Sequence, residues 1–86
     1  MKMHINDLDQ RSVEIALSAL QRVDVTGAKA WRIAHETVAD QLDKRASSLI
    51  EFVRYADGQA YHRETEQINA LRRRANQLRE RALCAD

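Results

Sequence analysis

The sequence predicts an all-α fold. Three observations carry that prediction. The 86 residues contain no Pro and only two Gly, which leaves few sites for the turns of a β protein. The two glycines, Gly27 and Gly58, stand alone as breaks. Between them, apolar residues recur three and four positions apart, the period of a helix. The expected architecture is a small helical bundle in a single domain, 1–86. It is built on a long antiparallel helical hairpin with a shorter N-terminal helix. There are three helices, or four if the middle one breaks near Ser47.

The first helix is expected to start near Asn6 or Asp7 and to run to about Val23. Asp7 and Gln10 have capping-box spacing, and Asp7 and Asp9 suit the positive end of a helix dipole. Val13, Ala16, Leu17 and Leu20 share one face. Leu8, Ile15 and Ala19 fall nearly opposite, so the helix reads as sandwiched between two neighbours. Asp24-Val25-Thr26-Gly27 ends it. Gly27 can take a left-handed turn, and Thr26 can cap the next helix.

The second helix is expected from about Ala28 to Asp57. Trp31, Val38, Leu42, Leu49, Phe52 and Ala56 lie on one stripe, and Arg45 falls in its middle. Arg45 reads as a side chain passing water at a bend, or as the point where the stripe resets. The alternative is a buried cation with an acidic partner. Ser48 and Glu51 have capping-box spacing, so a break near Ser47 stays open.

The third helix is expected from about Ala60 to Leu83. Tyr61, Ile68, Leu71, Ala75, Leu78 and Ala82 form its apolar seam, with strict three–four alternation from Ile68 on. Glu64 interrupts the seam one heptad earlier. A parallel homodimer through this seam would set Arg74 against Arg79 of the other chain. The seam is therefore expected to pack on helix two of its own chain.

Charge and chemistry narrow the function classes. The net charge is +1, too small to steer a partner at long range. Residues 63–86 carry six basic and four acidic side chains, against eight and nine in residues 1–62, so the last helix is the basic one. It holds the candidate nucleic-acid contacts Arg72, Arg73, Arg74, Arg79 and Arg81. This segment resembles, in composition only, the arginine-rich helices that bind RNA hairpins. On a helical wheel these arginines ring the helix. A groove-binding helix needs them on one side, and the segment lacks an aromatic platform for stacking bases.

No metal site, cofactor or catalytic residue is expected. The three histidines, His4, His35 and His62, lack ligand spacing and read as surface or core-edge residues. Cys84 has no fixed His near it. A lone Cys fits a reducing compartment, and the opening residues hold no apolar signal core, so a cytoplasmic location is expected. No apolar run is long enough to cross a membrane.

A first helix of about 17 residues, roughly 26 Å, can cover only half of the second. The far half must then bury Leu49, Ile50, Phe52, Val53, Tyr55 and Tyr61 with two helices. These residues, with Leu8 and Ile15 on the first helix, are the candidate protein interface. The expected function is that of a non-enzymatic protein-interaction module. It would be a small homodimeric adaptor, regulator or inhibitor docking on a larger protein. The alternative is a nucleic-acid-binding regulator that uses the arginine-rich helix.

Overall fold

The computed structural model describes residues 6–55 and 58–84. They form three helices, α1 (Asp7–Arg22), α2 (Gly27–Val53) and α3 (Gly58–Ala82), with no strand among the described residues. The result is an all-α bundle, as the helical periodicity predicts.

α1 begins at Asn6, not through the expected Asp7–Gln10 box. Asn6 has extended backbone, and its Oδ1 accepts the Leu8 N–H at 2.8 Å. That bond satisfies one of the otherwise orphaned donors of the first turn. The Gln10 side chain instead donates to Glu14. The helix closes with two bonds, Val25 N–H to Leu20 O and Asp24 N–H to Gln21 O. Asp24 sits at φ +63°. This is a Schellman closure with Asp in the left-handed position, where glycine is the usual occupant. Gly27 also has positive φ, +71°. Thr26 precedes α2 with extended backbone but makes no side-chain cap bond, contrary to expectation.

α2 is unbroken through Ser47, which excludes the four-helix alternative. Its Ser48 hydroxyl bonds back to the Lys44 carbonyl, a mid-helix geometry that leaves it unable to cap a new helix. The helix ends at Val53, four residues before the expected Asp57. Ala56 and Asp57 lie outside the described residues.

α2 is the central element. Its buried line is Ala30, Ala34, Val38, Leu42 and Ala46, with Ala39 beside it. The spacing is four throughout, so the line passes Arg45 by and uses Ala46. Arg45 is exposed, as the resetting stripe predicts. α3 meets this line with Ile68, Leu71, Ala75, Leu78 and Ala82, all buried. The three–four seam of α3 therefore packs on α2 of its own chain. Small residues on both helices allow close approach but bury little area each.

The α1 backbone lies against α2 alone. No Cα of α1 comes within 8 Å of one in α3. Val13 enters the core, with Ala16, Leu17 and Leu20 half-buried against it. Leu8, Ile15 and Ala19 are exposed. Among the described residues, no second element packs on that face.

Candidate interaction surface

The expected interface residues divide into two groups. Leu49, Ile50 and Val53 are half-buried against the hydrophobic core. Phe52, Tyr55 and Tyr61 are exposed, at 65%, 90% and 47%. The candidate patch at the hairpin turn therefore narrows to three aromatic residues. The physical reason is the one that the helix lengths give. α1 runs antiparallel to α2, and its start lies opposite Leu42 and Arg45. Beyond that point α2 has only α3 against it, and the seam of α3 is interrupted there by the half-buried Glu64 and Thr65.

The second group is Leu8 and Ile15, exposed at 66% and 64%. They stand on the rim of a groove of about 290 Å³ between α1 and α2, floored by Val38 and Leu42. Arg11 and Arg45 flank it, and Asp9 and Arg74 close its end.

Asp9 and Arg74 form a largely buried ion pair. Arg74 Nε donates to Asp9 Oδ2 at 2.8 Å, and its terminal nitrogen donates to Oδ1 at 2.6 Å. The Asp9 side chain is almost fully buried and that of Arg74 is one-quarter exposed. The bond to Asp9 raises the Arg74 pKa further above its ordinary value. A forked, charge-assisted pair fixes direction as well as distance. It ties α1 to α3 where the backbones stay apart. From sequence, a buried cation is expected at Arg45 if anywhere. The register of α1 against α3 puts it at Arg74, a register that no local spacing reveals.

The remaining arginines of α3 are also engaged in part. Arg79 reaches Asp43 and also bonds Asp40 at 3.0 Å, both on α2, and these bonds, that to Asp43 first, raise its pKa. Arg81 lies over the Trp31 ring at 5.2 Å, and its backbone carbonyl accepts the Trp31 Nε1–H at 3.0 Å. Arg72 and Arg73 are exposed. Three of the five candidate nucleic-acid contacts thus hold α3 to its own chain. Trp31, expected on the core stripe, is half-buried and latches the end of α3.

His35 departs most from expectation. It reads as a surface or core-edge residue but is 1% exposed. Its Nδ1 lies 2.7 Å from the Trp31 carbonyl. A carbonyl only accepts, so Nδ1 carries the proton and Nε2 is left with a lone pair. Nε2 is buried with no partner. Burial lowers the His35 pKa below 6.5, the Trp31 bond partly offsets this, and the nearby Arg81 charge lowers it further. The ring stacks at a tilt on Trp31, 4.2 Å between centroids. His62 and Cys84 are exposed, and His4 lies outside the described residues. No group of three or more metal-ligating side chains occurs among the described residues. No described helix is long and apolar enough to cross a membrane. No protein-family model, curated protein or solved structure matches the chain.

Proposed function

We propose that the protein is a non-enzymatic interaction module, a small dimeric adaptor, regulator or inhibitor that docks on a larger protein in the cytoplasm. The observation that carries this reading is the exposure of Phe52 and Tyr55 at the hairpin turn. Isolated apolar residues on a surface need no explanation, but aromatic residues grouped at one end of a small fold favour a contact.

Self-association is assigned to the turn end, and docking to the remaining apolar surface. The lone, exposed Cys84 suits a reducing compartment. The arginine-rich helix is set second because Arg74, Arg79 and Arg81 already have partners within the chain.

Light scattering at micromolar concentration tests the reading. The expected mass is twice the 9.9 kDa of the chain. A Phe52→Ser/Tyr55→Ser variant should be monomeric and keep its helical circular-dichroism spectrum, because neither side chain is in the core, and its melting temperature should lose the concentration dependence expected of the dimer. A strictly monomeric parent over a wide concentration range would overturn the dimer. Nucleic acid carried through purification, seen in the absorbance ratio, would move the alternative to first place.

A further inference from the structure

We propose that the groove between α1 and α2 seats an acidic amphipathic helix of a partner protein. This names the partner chemistry of the interaction module above and rests on that reading.

The groove has the form of a helix seat. α1 supplies Leu8, Arg11 and Ile15, and α2 supplies Val38, Leu42 and Arg45. Leu8 to Ile15 spans seven residues, as does Val38 to Arg45. Seven residues are two turns, so each wall offers one face of a helix over about 10 Å. A third helix laid between two such walls buries its own residues at three- and four-residue spacing. The floor residues Val38 and Leu42 are already buried, while Leu8 and Ile15 have most of their surface in water. A docked helix would cover these two and complete the second side of α1. The volume, about 290 Å³, lies at the lower limit for a small-molecule pocket. It suits two or three inserted side chains better than a cofactor.

Charge selects the occupant. Arg11 and Arg45 are exposed on opposite walls. Neither has a carboxylate within 4 Å among the described residues. Arg74 at the groove's end differs, because Asp9 already neutralises it. The groove therefore presents two uncompensated guanidiniums beside an apolar floor. Glu or Asp flanking an apolar stripe complements that pattern, and Lys or Arg is repelled by it. A second copy of this chain fits poorly. A two-fold contact through this face presents the same patch on both sides, which brings Arg11 and Arg45 of both copies into one interface.

Two synthetic helical peptides of about 14 residues, or four turns, test the proposal. Both carry the same leucine stripe at three–four spacing. One has Glu on the flanks of the stripe and the other has Lys. Amide chemical shifts of the ¹⁵N-labelled protein report where each binds. The Glu peptide should move amides of residues 8–15 and 38–45 and should weaken as salt rises. The Arg11→Glu/Arg45→Glu variant, its fold checked by circular dichroism, should reverse the preference between the peptides by about tenfold or more.

Equal binding of both peptides, or shifts elsewhere, overturns the proposal. So do groove shifts that track protein concentration alone, which would place a second copy there. If neither peptide binds but Phe52→Ser/Tyr55→Ser still abolishes self-association, the groove proposal fails and the module reading stands. A strictly monomeric parent overturns the dimer, and the peptide shifts then decide the groove independently.

Discussion

Arg74 and Arg45 are both arginines beside an apolar stripe, yet their environments make opposite predictions. Arg74 is held at two nitrogens by a buried carboxylate. Removing it leaves Asp9 buried without its counter-charge. Losing one partner of a fully buried pair costs about 3–5 kcal/mol. Arg74 is one-quarter exposed, so water can reach the site, and we expect Arg74→Ala to cost about 2 kcal/mol in denaturant titration. Arg45→Ala should stay within about 0.5 kcal/mol, because Arg45 is exposed and the core line bypasses it. Equal effects would show that the Asp9–Arg74 pair does not hold α1 to α3. His35 makes a prediction in pH. Its folded pKa lies below the unfolded value of 6.5, so the unfolded chain takes up the proton first as pH falls. The stability from neutral His35 is complete above pH 6.5 and is lost as pH drops towards the folded pKa. Thermal melts should therefore fall between pH 7 and pH 5. His35→Leu should flatten that part of the profile, whatever it does to the absolute melting temperature. An unchanged slope in the variant would assign the titration to another group.

The elements depend on their ends. α1 has 16 residues, short enough that isolated it would be marginal, so its caps weigh heavily. Asn6→Ala removes the bond to Leu8 N–H and should cost about 1 kcal/mol. Thr26→Ala should cost much less, since Thr26 makes no cap bond. Equilibrium unfolding of the two variants checks the difference. Asp24 offers the reverse case. It occupies a left-handed conformation that glycine adopts without steric cost. Asp24→Gly should stabilise the chain by about 0.5 kcal/mol, the steric relief exceeding the added freedom of the unfolded chain. Lower stability in that variant would mean that the Asp24 side chain contributes through its charge or a hydrogen bond. α2 runs on through its Ser47-Ser48 pair: the Ser48 hydroxyl is occupied within the helix and cannot cap a new one, and Ala46 keeps the packing line continuous.

The whole molecule is elongated. Its radius of gyration is 15.0 Å, against about 12 Å for a compact chain of 86 residues. One 27-residue helix, about 40 Å long, sets the long dimension. Neither neighbour is placed to cover its far end fully. That geometry is the source of the exposed turn-end aromatics. Electrostatics at this scale gives a further prediction. If all of Arg72, Arg74, Arg79 and Arg81 met duplex phosphates, the slope of log affinity against log salt would be roughly −3 to −4. Arg74 and Arg79 are bound to carboxylates, and Arg81 packs on Trp31. Arg72 and Arg73 remain exposed and give a slope of about −1 to −2. Binding measured by fluorescence anisotropy should accordingly be weak and should vanish near physiological salt. A slope near −4 with selective sub-micromolar binding would show that the arginines leave their internal partners for a nucleic acid.

Fold class and most of the helix limits follow from the order of residues along the chain, whereas the choice between three helices and four at Ser47 is decided only in the structure. Helical periodicity and lone glycines are local signals, and each helix carries its own. The seam of α3 is legible residue by residue from Ile68 to Ala82. So is its packing on α2 of the same chain, which the like charges flanking it predict. The shortfall of α1 against α2 is legible from lengths alone, and with it an uncovered turn end, but not which residues show there: the stripe puts Phe52 in the core and Ile50 outside it, and packing reverses the two. The remaining features arise only when the helices pack. Asp9 pairs with Arg74 across 65 residues, and Arg81 with Trp31 across 50. The register between packed helices sets such pairs, and spacing within one helix carries no trace of it. The burial of His35 depends on the same register, since its neighbour on α2 and the charge from α3 meet only after packing. The groove between α1 and α2 exists because two faces, each ordinary alone, stop side by side with nothing between them.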